Sequence, residues 1–239
     1  RHGLTTYRVP GHPFSCYQSV VQAFEPMPRV HLCGAHLDAY PPIWPQQAVI
    51  IANNDHARQI VNEHVDRGAT AIKIYFRLPL EHYSAICATA RQRGVPVTAH
   101  LELVKARDAI AAGVNGIEHV TSFGTSLCDE MTATRFESSV AEDPDLRRHL
   151  RYRMWANLEL DDSPRAQALL EQIVTNEVYV SPTLAVFERR PDFERVTDEE
   201  VRGFQNMLKF VGMCHAAGST VVAGSHTWTP GAEFGWAFH

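Results

Sequence analysis

Four residues of this 239-residue chain carry reactive side chains at equivalent places in a repeated pattern. Lys73 lies in the run AIKIY, His100 closes VTAH, His119 sits in GIEHV, and His226 closes VVAGSH. A neutral imidazole both binds metal ions and accepts protons. With 13 histidines in the chain, a search for ligands is warranted, although any one strand-end histidine also reads as a hydrogen-bonded core residue. Lys73 is harder to set aside, because it stands between Ile72 and Ile74 in an apolar strand. A bare ammonium there is costly to bury. Either it pairs with a carboxylate such as Glu118 or Glu102, or its amine has reacted with CO2. The resulting carbamate is an anion that bridges two divalent cations, and burial lowers the lysine pKa enough for the reaction.

The elements that must position these residues follow a repeat. Four helical patterns end in Gly68, Gly94, Gly113 and Gly218, and each is followed by one of the four apolar runs. Glycine just past a helix supplies the left-handed backbone that side chains disfavour. The runs are continuous rather than alternating, as in strands covered on both faces. Helices alternating with such strands predict βαβ units and a parallel sheet. Three further strands are expected at Leu4–Val9, Arg29–Cys33 and Tyr179–Pro182, making seven. Helices are expected at Asp55–Arg67 (capped by Asp55), Leu80–Arg93, Leu103–Ala112, Ser163–Thr175, and from a Thr197/Glu200 capping box to about Ala217. The stretch Ser122–Leu160 is the least regular, and its arginines 147, 148, 151 and 153 read as a solvated, mixed-charge helix face. An open doubly wound sheet usually shows a Gly-rich phosphate turn. The chain has no G-x-G-x-x-G and no G-x-x-x-x-G-K-[ST], which favours a (β/α)8 barrel.

Composition narrows the function. The 22 basic against 27 acidic residues give a net charge of -5, which argues against nucleic acid as a partner. No apolar run nears the ~18 residues needed to span a bilayer, so no membrane partner is expected. The five cysteines are scattered and never in C-x-x-C spacing, which argues against a disulfide scaffold or a cysteine zinc site. No signal peptide is visible. The reading favours the cytoplasm, a small-molecule substrate, and leaves a homo-oligomer open.

Taken jointly, Lys, His, His and a fourth strand-end polar residue in chain order are more specific than any one of them. On these residues the chain resembles the amidohydrolase superfamily of metal-dependent hydrolases, in its imidazolonepropionase-like and Xaa-Pro dipeptidase-like branch. Gly3–Arg8 is similar to the family's second-strand segment, Ala71–Ile74 to the fourth, Val97–His100 to the fifth, Gly116–His119 to the sixth, and Val221–Pro230 to the eighth. The resemblance implies an incomplete (β/α)8 TIM barrel, strands 2 to 8, occupying residues 1–239 as one domain. It implies one or two Zn2+ ions, or another divalent metal, that activate water to cleave the C–N bond of an amide, lactam or dipeptide. Lys73 would be the carbamylated bridging ligand, with His100, His119 and His226 as the other ligands. Tyr75, Arg77 and His36, which follow strands, would orient substrate.

The chain departs from the family twice. No H-x-H pair is present, where the family's first strand carries one. The expectation is therefore a fragment without the first strand and last helix, itself inactive. At Gly224-Ser225-His226 the family commonly has Gly-Thr-Asp, so His226 would replace the Asp that ligates metal and accepts the proton from water; failing that, Glu102 is the next candidate base. Two rival readings are a catalytically degenerate ligand-binding barrel and a metal-free phosphate-binding barrel.

Overall fold

A computed structural model describes residues 5–17 and 28–225. His226 lies outside the described residues. The strands are β1 (Thr6–Val9), β2 (Arg29–Leu32), β3 (His36–Asp38), β4 (Ala48–Ile50), β5 (Ile72–Ile74), β6 (Val97–His100), β7 (Gly116–Glu118) and β8 (Tyr179–Ser181). Six of them form a parallel sheet in the order β4-β3-β5-β6-β7-β8, and β1 and β2 make a separate two-stranded parallel sheet. The fold is thus α/β. By contact density the chain separates into two compact units: Arg1–His100 with Ala111–Val114, and Leu101–Ile110 with Asn115–His239.

In the first unit, the strand expected at Arg29–Cys33 proves to be the first half of a longer extended run. Gly34 interrupts it with φ at 72°, a left-handed conformation that glycine adopts at little cost, and the chain resumes as β3. The amides of Thr70 and Tyr75 donate to the carbonyls of Leu32 (2.9 Å) and Leu37 (2.8 Å), so both halves run beside the β5 segment. Sequence periodicity missed β3 and β4 because each has only three residues. Helix α1 (Asn54–Asp66) is capped by Asn53, whose side chain accepts from the His56 amide, and not by Asp55. Helix α2 (Tyr83–Gln92) follows a 3-10 turn at Leu80–His82. Ala57 and Val61 of α1, and Tyr83, Ile86 and Ala90 of α2, are buried with Leu37, Ile72 and Ile74.

The second unit holds α3 (Ala106–Ala111 less its last residue), α4 (Gly124–Leu127), α5 (Glu130–Glu142), α6 (Arg147–Ala156), α7 (Pro164–Thr175), α8 (Leu184–Phe187) and α9 (Asp198–Ala216). Helix α3 starts later than expected. Ahead of it the Leu101 amide bonds to the Ser122 hydroxyl (3.0 Å) instead of entering a helix. The irregular-looking stretch Ser122–Leu160 is largely helical, with Asp129 capping α5 and Asp143 capping the turn at Pro144–Leu146. Of its arginines, Arg148 and Arg153 are exposed as expected and Arg151 is half-buried, while α6 buries Arg147 with Tyr152, Met154 and Trp155. Ser163 caps α7, and Thr197 with Glu200 forms the expected capping box of α9. Of the expected eighth-strand segment, the described residues show one bridge, Val221 with Val180. Among the described residues no helix is long and apolar enough to cross a membrane.

Helices α6 and α9 cross at Gly203, where an added Cβ would stand 2.6 Å from the Tyr152 carbonyl oxygen. Alanine is the better helix former by about 1 kcal/mol. Even so, Gly203→Ala is expected to destabilise the protein by about 1–3 kcal/mol, because the backbone of α6 must move. A urea midpoint equal to or above that of the wild type would refute this close approach.

Candidate metal and substrate centre

Register decides which side chains of the first unit share a face. Leu37 pairs with Ile74, and Lys73 pairs with Thr98. Paired residues of parallel strands point to the same side, and side chains alternate along each strand. His36, Asp38, Lys73, Tyr75, Thr98 and His100 therefore lie on one face of the sheet. Leu37, Ile72, Ile74, Val97 and Ala99 lie on the other, all at most 1% exposed. The first set is a polar, titratable stripe that is nonetheless buried: Lys73 is 4% exposed and His100 8%.

Aromatic packing orders the stripe. The Tyr75 ring lies 4.3 Å from that of His36 and 4.9 Å, edge-on, from that of His100. The indole N–H of Trp44 donates to the Tyr75 hydroxyl at 3.1 Å. Asp38 Oδ1 accepts from the Arg77 amide (3.1 Å), so Arg77 enters through its backbone while its guanidinium lies over Phe76. Asp38 Oδ2 and His36 Nε2 stand 4.0 Å apart, and neither has a hydrogen-bond partner among the described residues. Burial, with the charge of Lys73 adding to it, lowers the His36 pKa to about 4. Burial also raises that of Asp38 to about 6, against the pull of the Ala39 and Arg77 amides.

In the second unit, His119 directly follows β7 at φ 65°. A non-glycine residue there is strained by about 1–3 kcal/mol and persists only where its surroundings impose it. Here the His119 amide is fixed to the Ser181 carbonyl (2.8 Å) and the next amide to Pro182 (3.0 Å). Its Nδ1 is hydrogen-bonded to the Thr183 hydroxyl at 2.6 Å, and its ring meets Phe187 edge-on at 5.8 Å. Gly224, two residues before His226, approaches the same threonine: a Cβ there would be 2.7 Å from Thr183 Cγ2. Glu102 is buried, and that burial raises its pKa against the opposing charges of Arg151 and Arg147.

Sequence reasoning missed Asp38, Trp44, Thr183 and Arg151. The H-x-D alternation at His36–Asp38 was the available signal for Asp38. Thr183 follows a strand but has no pattern of its own.

No protein-family model and no curated protein matches the chain. Solved structures do. A bottromycin amidohydrolase superposes with a TM-score of 0.65 at 20% identity, covering 100% of this chain and 56% of that one. The chain has part of the amidohydrolase fold. A Xaa-Pro dipeptidase with methionine in its active site matches with a TM-score of 0.57 at 17% identity, over 93% of this chain and 55% of that one. A further amidohydrolase gives 0.56 at 19%, over 98% and 56%. This amidohydrolase-fold chain spans about half the length of the solved structures it matches.

The residues present suit a divalent cation in kind. Imidazole and carboxylate donors are buried on one face in the first unit, and in the second the Nδ1 of His119 is hydrogen-bonded to the Thr183 hydroxyl, as in histidines oriented for a metal. Among the described residues no three His, Cys, Asp or Glu side chains stand together at metal-binding spacing.

The electrostatics of the stripe predict a pH effect in chelator-treated protein. Unfolded His36 takes up a proton near 6.5 and folded His36 only near 4, so the unfolded state binds more protons in between. Its contribution to stability is therefore lost as pH falls. Asp38 acts with the opposite sign, since the folded state holds its proton up to about 6. Between pH 7 and pH 5 the wild type should lose about 2 kcal/mol more than His36→Gln in urea unfolding. Equal losses would show that His36 is not buried as a neutral ring.

Proposed function

We propose that this chain is part of a metal-dependent amidohydrolase that breaks the C–N bond of an amide, lactam or dipeptide with water. On this reading, residues 1–239 are one partial (β/α)8 domain, strands 2 to 8. The observation that carries the proposal is His119, a strained strand-end histidine whose Nδ1 is hydrogen-bonded to the Thr183 hydroxyl. Such second-shell contacts fix the tautomer and orientation of metal-binding histidines. The polar stripe with Lys73 and His100, and the likeness to amidohydrolase structures, support the same reading.

Zn2+, one ion or two, would when bound supply Lewis acidity and bring the pKa of water near neutrality. Lys73 as its carbamate, His100, and His119 through Nε2 would hold it. His226 would ligate or accept the proton from the attacking water. Tyr75, positioned by Trp44, would donate its hydroxyl to the substrate carbonyl oxygen as negative charge develops there. His36, kept neutral by burial, would orient the substrate from beside it.

The test is hydrolysis of dipeptides, N-acyl amino acids and lactams by the Zn2+-loaded whole enzyme of which this chain is part. Turnover should stop on chelation. His100→Ala should lose both bound metal and rate. Thr183→Val should lower metal affinity or rate by about 10–100-fold, the usual cost of a lost second-shell partner, while Thr183→Ser retains both. Turnover indifferent to chelation, or His100→Ala with full metal content, would overturn the proposal.

A further inference from the structure

The alternation that builds the polar stripe also sets two donors side by side on one strand. His36 and Asp38 are alternate residues of β3, so both side chains leave the same face of the sheet. They are 2% and 0% exposed. Each is held in place by a different neighbour. Asp38 is fixed through Oδ1, which accepts from the Arg77 amide at 3.1 Å. The His36 ring lies 4.3 Å from the ring of Tyr75, and the Gly11 backbone covers its Nδ1 edge, where an added Cβ would stand 3.2 Å away. What is left over is His36 Nε2 and Asp38 Oδ2, which stand 4.0 Å apart and have no hydrogen-bond partner among the described residues. Buried polar atoms of this kind are costly to leave unsatisfied. At that separation they are too far apart to bond each other. They are near the spacing that one ion between them would impose, since two donors on a tetrahedral Zn2+ stand about 3.4 Å apart. A small turn of the imidazole and carboxylate closes the difference.

We propose that His36 Nε2 and Asp38 Oδ2 bind a divalent transition-metal ion at a site separate from the hydrolytic centre. This goes beyond the hydrolase reading, whose ligands are Lys73, His100, His119 and His226. One ion satisfies both leftover atoms at once, and the Arg77 amide on Oδ1 is the outer-shell support that such a carboxylate needs. An imidazole nitrogen beside a carboxylate selects Zn2+, Co2+ or Mn2+ over Mg2+ and Ca2+, which favour oxygen donors alone. Two protein donors leave the other coordination positions to small ligands, so the ion is exchangeable. It, rather than the bare ring, is then what His36 presents beside Tyr75. Leu37 pairs with Ile74, which makes Lys73 the neighbour of His36 on the same face. An ammonium there opposes the ion, whereas the carbamate proposed above favours it. Added bicarbonate should therefore tighten binding.

The experiment uses the whole enzyme of which this chain is part, stripped with chelator and loaded with Co2+. Anomalous scattering from its crystals should place an ion within about 2.3 Å of both His36 Nε2 and Asp38 Oδ2. In solution, cobalt absorption and metal content should fall by one ion per chain in His36→Gln. Asp38→Asn keeps the shape and the Oδ1 acceptor, and should weaken that ion by more than about 100-fold, beyond the cost of an outer-shell partner. His100→Ala should leave it in place. A water or no atom at that position in the wild type overturns the inference, as does unchanged cobalt stoichiometry and affinity in both β3 variants. An ion that disappears with His100→Ala belongs to the hydrolytic centre and likewise overturns a separate site. An ion indifferent to bicarbonate would count against the Lys73 carbamate alone, and a filled site without turnover against the hydrolase reading alone.

Discussion

The structure depends on one constraint: in a parallel strand with both faces covered, side chains alternate, so any polar residue at a fixed parity is buried with its neighbours of that parity. Lys73 and Tyr75 on β5, His36 and Asp38 on β3, and Thr98 and His100 on β6 obey it together. The opposite parity supplies Leu37, Ile72, Ile74, Val97 and Ala99 to the layer against the helices. A sheet that only had to be stable would place apolar side chains on both faces. This one accepts the desolvation of five polar groups in a single stripe, with the half-buried Tyr75 just past β5 beside them, which is the arrangement expected when function opposes stability.

Much of this was legible in the sequence, because glycine after a helix and a short apolar run are local signals. The glycine-closed repeats located β5, β6 and β7, and the capping residues located α7 and α9. The caps at Asp129 and Asp143 were equally local, but the charge of the surrounding stretch hid them, and α5 and α6 were not anticipated. Arg147 and Arg151 of α6 misled for a related reason, while Arg148 and Arg153 are exposed as expected. A helix with Arg at 147 and 151 reads as solvated unless a buried carboxylate is known to face it, and Glu102 lies 45 positions before the first of them. Three-residue strands such as β3 and β4 are shorter than any period that alternation reveals.

The strand-end residues were legible in type and not in environment. His36 was anticipated as a residue that touches substrate, but its displacement toward a neutral ring comes from burial and from Lys73 one strand away. His119 was anticipated as a ligand, while the feature that orients it, the Thr183 hydroxyl, comes from 64 residues later in the chain. Long-range partners of this kind are set by register, and register is specified by the whole sheet rather than by a motif.

The two units handle buried charge in different ways. In the first, His36 and Asp38 are pushed in opposite directions by the same desolvation, so at neutral pH the ring is uncharged and the carboxylate is largely ionised. The buried Lys73 lies on the same face as both groups. In the second, burial raises the pKa of the Glu102 carboxyl against the charges of Arg151 and Arg147, and the Arg151 guanidinium is stacked on the Phe187 ring beside His119. Arginine stays charged under all these conditions, so burial there orients a cation instead of neutralising it. Lysine and arginine are thus placed differently: one in a polar stripe within the sheet, the other where a permanent planar charge is stacked on an aromatic ring.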